Sequence, residues 1–262
     1  MKTMKLYLTC CLLAIVTSVS AQFANSSNNV SASSSSGRNI DTNGWNRLSV
    51  SVNPMKITTD IKGGDDFNMT GFSLGYTKGF SIAKQIPLFL EVGINARYAF
   101  KKLDKDDMDA LEDMDGYEME RKYSLLSLDV PLNIAYKFSF PNSNIALVPY
   151  IGINFKGNII GKSKLNLADP DELGEDYDDE DDFWKDQEKQ EKDGIRQSTN
   201  MFDKKETGDK DATWKRFQMG WQLGIGLYYN QLYAGIGYGK DFTELCKKTK
   251  IGTTSIIIGY SF

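Results

Sequence analysis

Residues 88–100 read LFLEVGINARYAF and alternate between two kinds of side chain. Aliphatic and aromatic residues fill every even position, whereas Glu91, Gly93, Asn95 and Arg97 fall at odd positions. A period of two residues is that of a β-strand, in which successive side chains point to opposite faces of the sheet. This stretch therefore predicts a long strand with one continuous apolar face.

The same alternation recurs along the chain. It is clear in LSLDVPLNIAYKF and FQMGWQLGIGL, and more interrupted in five other segments. The two clear segments are 126–138 and 217–227, and the others are 46–56, 69–80, 145–158, 232–241 and 251–262. Strands of soluble proteins usually have about 5–6 residues, whereas a tilted strand that crosses a membrane needs about 9–11. Because single-chain bacterial barrels have an even number of strands, the eight segments predict an all-β, eight-stranded antiparallel up-and-down transmembrane β-barrel.

The connections between these segments alternate in length. Those at Ser81–Ile86, Pro141–Asn144 and Tyr229–Gln231 are short, whereas 101–122 and 159–216 are long and acid-rich. Short turns on one side and long loops on the other are typical of outer-membrane barrels, whose long loops lie outside the cell. We therefore expect long acidic extracellular loops, with a large insertion at about 159–216.

The N-terminal region predicts export. Residues 1–21 combine Lys2 and Lys5, an apolar centre and a small-residue end, which is the pattern of a cleaved signal peptide. Residues 22–43 are rich in Ser and Asn and predict a disordered tether, so the barrel occupies 44–262. The predicted location is the cell outer membrane. A soluble lipocalin-like carrier would show the same alternation with its faces reversed, but aromatic residues at the strand ends favour a membrane.

Composition excludes several kinds of function. The chain has no histidine, so it has no Ser-His-Asp triad, no His-ligated zinc and no imidazole acid or base. Its net charge of −4 argues against nucleic acid as a partner. Once the leader is removed, Cys246 is the single cysteine, which leaves no intrachain disulfide framework. We expect a protein that is not an enzyme and needs no cofactor.

Several short motifs resemble the PorT-type outer membrane protein β-barrel domain family. They are Trp45-Asn46-Arg47-Leu48 leading into Asn53-Pro54, Leu128-Asp129-Val130-Pro131-Leu132, and Gly259-Tyr260-Ser261-Phe262. The resemblance covers about 45–262 and implies a barrel fold and a membrane location, with a link of some members to protein secretion. The end of the chain, with Ile258, Tyr260 and Phe262 on one face, also resembles the C-terminal signature that the outer-membrane assembly machinery recognises.

Charged residues on the inward face predict ion pairs in the lumen. If the third and fourth strands are neighbours, Glu91 comes near Lys137 and Arg97 near Asp129. An eight-stranded barrel is just wide enough for its own side chains, so these pairs would fill the lumen structurally. The alternative is an ion path or a proton relay.

The acidic insertion leaves three interpretations open. It could be a solvated, self-repelling loop, a divalent-cation site, or a partner-binding lid anchored by Tyr177, Phe183 and Trp184. Candidate Ca²⁺ ligands are Asp169, Asp171, Glu175, Asp178, Glu180 and Asp182.

The overall expectation is a structural or surface-binding role at the cell envelope. The expected partners are the lipid bilayer, the assembly machinery and an extracellular or envelope protein. The alternative function is transport, as a narrow pore or as an accessory of protein secretion.

Overall fold

Alternating segments of the chain form long strands in the computed structural model, which describes residues 42–61, 66–83, 85–103, 118–140, 143–168 and 195–262. The strands are β1 (Trp45–Thr59), β2 (Phe67–Ser81), β3 (Leu88–Leu103), β4 (Glu118–Tyr136), β5 (Phe138–Ser139), β6 (Ile145–Ala168), β7 (Ile195–Asn200), β8 (Phe217–Tyr229), β9 (Leu232–Asp241) and β10 (Thr249–Ser261). One short helix, α1 (Lys204–Thr207), lies between β7 and β8. No helix among the described residues is long and apolar enough to cross a membrane.

The sheet closes on itself. Antiparallel pairing runs in the order β1-β2-β3-β4-β6-β8-β9-β10, and β10 pairs with β1 from Arg47↔Ser261 to Thr59↔Thr249. The short strands β5 and β7 both pair with β6, in addition to these eight. The prediction of a closed, eight-stranded antiparallel barrel is therefore confirmed.

The two ends of the barrel differ. At one end, called the turn end, β2–β3, β5–β6 and β8–β9 are joined by short connections. In the tightest of them Asn230 has φ 52°, a left-handed conformation that asparagine tolerates in hairpin turns. At the other end, called the long-loop end, residues 201–216 and 243–248 fold over the barrel, with Trp214 donating its backbone N–H to Met201 and Lys215 to Leu245.

Two strands are longer than expected. β4 begins at Glu118 and β6 continues to Ala168, so the 159–216 insertion begins as strand and not as loop. The register shifts at Leu126/Ser127, where Leu126 pairs with Ile160 but Ser127 with Asn158. Ile159 is the extra residue of a β-bulge, and a bulge reverses the inside–outside alternation beyond it. That reversal hides the continuing strand in the sequence pattern.

Two apolar clusters fill the barrel interior near its ends. The turn-end cluster consists of Trp45, Phe89, Ala135, Ala146, Val148, Tyr228 and Tyr233. The loop-end cluster consists of Met55, Ile57, Met69, Ala99, Leu125, Trp214, Leu245 and Ile251. Tyr123 packs against the loop-end cluster and stacks on Trp214 at 6.3 Å, so this ring lies inside the barrel and not at its outer surface.

The outer face of the barrel is apolar and exposed. Leu74, Ile151 and Ile258 each expose more than 60% of their surface. Soluble proteins rarely expose a continuous apolar band of this kind. Aromatic rings adjoin this band near the long-loop end, where Phe72 stacks on Phe100 at 6.3 Å. The barrel therefore requires an apolar surrounding, as the period-two pattern predicted.

Candidate functional site

The barrel interior between the two apolar clusters is polar, and Glu91 of β3 lies in it. Its side chain is buried and accepts hydrogen bonds from Trp45 Nε1 at 3.2 Å and Asn133 Nδ2 at 3.3 Å. Arg47 Nη1 of β1 lies 3.4 Å from Glu91 Oε1. The carboxylate is thus surrounded by donors and paired with a cation two strands away.

Arg47 is held by tyrosine rings as well as by Glu91. Its Nη1 donates to Tyr228 Oη at 2.6 Å, and its guanidinium carbon lies 3.8 Å from the centroid of the Tyr233 ring, in a cation–π contact. The Tyr233 ring occupies space that two glycines leave open, since a Cβ on Gly226 or Gly235 would lie 2.3 or 2.5 Å from it. Glycines in these strands therefore make room for the ring that holds the arginine.

Two further ion pairs lie closer to the long-loop end. Arg97 of β3 contacts Asp129 of β4, and Lys156 Nζ of β6 lies 2.6 Å from Asp241 Oδ1 of β9. Asp129 and Lys156 are direct partners in the β4–β6 register, so the two pairs are adjacent. Gln218 Nε2 donates to Asp241 Oδ2 at 3.1 Å. All four charged residues are buried, and their charges cancel.

A small cavity of about 90 Å³ lies among these groups. Its wall includes a cluster of hydroxyl and amide groups, in which Ser51 Oγ lies 2.5 Å from Ser73 Oγ and Ser255 Oγ donates to Asn53 Oδ1 at 2.9 Å. Ligand sites usually measure about 300–1,000 Å³, so this cavity suits a few water molecules rather than an organic ligand.

A larger cavity of about 450 Å³ opens at the turn end. Its lining includes Trp45, Lys137, Asn144, Asn230 and Phe262. The pocket is walled mainly by hydroxyl, amide and aromatic groups, with the ammonium of Lys137 as its cationic side chain.

The predicted lumen residues occupy different places. The structure brings Arg97 and Asp129 together as diagonal neighbours, because the register pairs Arg97 with Ser127 and Asn95 with Asp129. The same register pairs Glu91 with Asn133, four positions before Lys137. Lys137 lies beyond the last β3–β4 pair, with its Nζ 5.7 Å from the Trp45 ring centroid. The sequence did not identify Arg47 as the partner of Glu91, because β1 and β3 are not neighbours in the sheet.

The Lys156–Asp241 pair was also missed. Both residues fall in segments where alternation was weak, and the chain separates them by 85 residues. A signal existed, since each places a charge on the inward register of a strand. The sequence alone does not tell which inward cation meets which inward anion.

The three residues of the predicted C-terminal signature lie on the outer face. Ile258, Tyr260 and Phe262 expose 64%, 49% and 60% of their surface. Phe262 is tied to the first strand, since its backbone N–H donates to the Asn46 carbonyl at 2.9 Å.

The candidate Ca²⁺ ligands lie outside the described residues. They are Asp169, Asp171, Glu175, Asp178, Glu180 and Asp182, and the aromatic anchors Tyr177, Phe183 and Trp184 lie in the same stretch. In the part of the chain that the structure describes, no group of three or more acidic or cysteine side chains could hold a metal ion.

Cys246 lies in the β9–β10 connection and is half-buried. Burial raises the pKa of its thiol, although a hydrogen bond with Thr249 acts in the opposite direction. The neighbouring Lys247 contacts Asp211 instead. A raised pKa reduces the thiolate fraction at neutral pH, which lowers the reactivity of this cysteine.

A family model described as "Outer membrane protein beta-barrel domain" matches residues 17–242. The chain belongs to this family. Its exposed apolar face therefore lies in the lipid bilayer of the outer membrane, and β10 completes the barrel beyond the matched residues.

Several solved outer-membrane structures are similar to this family member at low identity. Ail, the attachment invasion locus protein of Yersinia pestis, in complex with the heparin analogue sucrose octasulfate, is 12% identical over 84% of this chain and 99% of its own, with a TM-score of 0.41. Neisserial surface protein A is 11% identical over 83% and 97%, with a TM-score of 0.34. The outer membrane enzyme PagL is 10% identical over 80% and 98%, with a TM-score of 0.36. No curated protein sequence matches the chain significantly.

Proposed function

We propose that this outer-membrane barrel is a non-catalytic scaffold that presents a binding surface at its long-loop end, which faces outside the cell. The observation that carries the proposal is the contrast between its interior and that end. Inside, three buried ion pairs lie between two apolar clusters, and the two charges of each pair cancel. Side chains engaged in this way stabilise the barrel, which leaves the long-loop end to contact other molecules.

The long-loop end has a structured platform that supports this role. β4 and β6 stay paired up to Glu118↔Ala168, and β7 adds a strand along β6 from Lys162↔Asn200 to Leu167↔Ile195. Below this platform Trp214 is buried in the loop-end cluster. Binding residues are commonly carried by loops that a rigid scaffold positions.

The acidic stretch 169–194 joins β6 to β7 at this platform. We propose it as the contact region for an extracellular or envelope protein, or for Ca²⁺ through the six carboxylates named above. Carboxylate oxygens are the ligands that Ca²⁺ prefers. Calorimetric titration of the whole protein in detergent with CaCl₂, with a variant carrying the six residues as Asn or Gln as control, separates these two ligands. If the wild type and the variant give the same heat at millimolar Ca²⁺, the interpretation as a contact region for a protein remains.

Protease shaving of intact cells tests the orientation. We expect cleavage within 165–215 and protection of the other strands, with fragments identified by mass. The mature protein should begin near Gln22 if residues 1–21 are removed as a signal peptide. An uncut protein that is nevertheless in the outer membrane would contradict an accessible outer surface.

Transport is the second candidate function, and two observations favour it. The polar cavity among the ion pairs would lie on any path through the barrel, and the 450 Å³ pocket at the turn end could receive a periplasmic partner. The resemblance to PorT-type proteins would make the protein an accessory of secretion. Planar-bilayer recordings of the wild type, Glu91→Ala and Arg97→Ala decide for the structural interior if all three stay silent. They decide for a pore if the wild type conducts, or if a variant conducts while it unfolds at the wild-type urea concentration. A secretion defect on deletion of the gene would support the accessory role.

A further inference from the structure

At the long-loop end of the barrel, lysines follow the apolar residues of the outer face. On β3, Lys102 follows Phe100 on the outward register, on β6 Lys162 follows Ile160, and on β9 Lys240 follows Tyr238. The outward lysines near this end are Lys56, Lys102, Lys122, Lys162, Lys164, Lys240 and Lys250. Six of the eight barrel strands thus carry an outward lysine beyond the apolar residues of the outer face at this end.

Four of these lysines form a compact group, called here the lysine patch. Lys102 is the direct register partner of Lys122, and Lys122 is the direct partner of Lys164. Lys162 lies opposite Ser124, one pair nearer the apolar band. Directly opposed residues on one face have Cβ atoms about 4.5–5.5 Å apart, so three ammonium groups can converge on one point.

Opposed like charges destabilise a sheet unless an anion compensates them. Glu120 contacts Lys122 at 2.5 Å and compensates part of the charge. Lys122, Lys162 and Lys164 are nevertheless exposed to the surroundings of the barrel. The three exposed lysines of the patch are therefore suited to bind an anion that arrives from the membrane side.

We propose that the lysine patch binds the phosphate groups of anionic lipid headgroups in the leaflet at the long-loop end. Phe100 and Ile160 lie immediately on the membrane side of the patch, which places the lysines at the level of the headgroups. Lysine is a common phosphate ligand, and each basic residue near an anionic membrane surface strengthens binding. With the proposed orientation, this leaflet is the outer one.

The test uses the full-length protein in phosphatidylcholine nanodiscs that contain a diphosphorylated glycolipid or its dephosphorylated form. The variant is Lys122→Gln/Lys162→Gln/Lys164→Gln. A control with the same change in charge is Lys204→Gln/Lys205→Gln/Lys210→Gln, whose residues are exposed in α1 and the turn after it. Bound lipid is counted by native mass spectrometry after release from the nanodisc.

The patch variant should bind the phosphorylated lipid at least about tenfold more weakly than the wild type and the control variant, because three basic contacts are removed. Equal affinity of the wild type and the patch variant would overturn the proposal, and so would an equal loss in the control. Displacement of the lipid by millimolar inorganic phosphate would assign the patch to free phosphate instead.

The design separates this inference from the proposed orientation. Both leaflets of the nanodisc contain the lipid, so binding does not depend on which end faces outside the cell. Folding is checked by the faster migration of unheated barrels in gel electrophoresis. If the triple variant does not fold, Lys162→Gln alone should still weaken binding by about threefold, and an unchanged affinity would overturn the proposal.

Discussion

Removal of the charge of Asp241 tests whether the interior ion pairs stabilise the barrel. The carboxylate accepts from Lys156 Nζ at 2.6 Å and from Gln218 Nε2 at 3.1 Å. In Asp241→Asn, one of these two donors must face an NH₂ group. Gln218 cannot rotate its amide without cost, because its Oε1 already accepts from Asn158 Nδ2 at 2.9 Å. The substitution therefore leaves the cation Lys156 without its counter-charge, and one of the two buried donors without an acceptor.

The expected loss in the free energy of unfolding is about 3–5 kcal/mol. Two unit charges about 4 Å apart attract by about 4 kcal/mol at the effective dielectric constant of protein sites, and breaking a buried pair from one side costs a similar amount. The side chains of Lys156 and Asp241 are 7% and 1% exposed, so bulk solvent does not screen the uncompensated charge. Urea unfolding in phospholipid vesicles, followed by tryptophan fluorescence, measures the difference by linear extrapolation.

The matched control is an exposed lysine–carboxylate pair of the same chain. Lys215 and Glu244 lie 3.4 Å apart with side chains 54% and 36% exposed, so Glu244→Gln should cost no more than about 1 kcal/mol. Adding Lys156→Met to Asp241→Asn should restore at least half of the loss, since the uncompensated charge disappears. If Asp241→Asn unfolds at the same urea concentration as Glu244→Gln, the reasoning that assigns stability to the buried pair is refuted.

Three further predictions concern packing, thiol chemistry and assembly. Gly226→Val should destabilise the barrel by about 1–3 kcal/mol in the same urea assay, because a Cβ there would lie 2.3 Å from the Tyr233 ring. Tyr233→Ala in the same chain should relieve the clash. An unchanged unfolding midpoint for Gly226→Val would refute the prediction. Iodoacetamide should alkylate Cys246 at least about tenfold more slowly in the folded protein than in urea at pH 7.5, and faster as pH rises, because burial raises the thiol pKa; equal rates would show that the thiol is not protected. Phe262→Ala should slow barrel assembly in vivo more than Phe242→Ala, an exposed aromatic of the opposite end, as measured by the folded band in pulse-chase gels; equal rates would remove Phe262 from the assembly signature.

The eight strands could be predicted because each barrel strand obeys one simple constraint. Lipid on one side and a narrow lumen on the other impose alternation on every residue that crosses the membrane. Beyond the membrane that constraint ends. The continuation of β6 to Ala168 and the strand β7 were therefore invisible in the sequence, all the more because the bulge at Ile159 reverses the alternation.

Partners in the lumen could be predicted only in part, for a geometric reason. A register shift of two residues keeps every side chain on its face but moves its neighbours by one pair. Arg97 and Asp129 tolerate this shift because diagonal neighbours are still within reach of long side chains. For Glu91, the structure shows a cation that does not come from a neighbouring strand, since Arg47 reaches it from β1.

The positions of the strands that supply the ion pairs favour a structural role of the interior over a path for ions. Arg47 of β1 meets Glu91 of β3 past β2, and Lys156 of β6 meets Asp241 of β9 past β8. Each pair spans an intervening strand from the inside, so it resists a change in the curvature of the closed sheet. An ion that passed through would have to separate pairs that stabilise closure. Any conduction should therefore rise only as stability falls, and a variant that conducts while unfolding at the wild-type urea concentration would contradict this coupling.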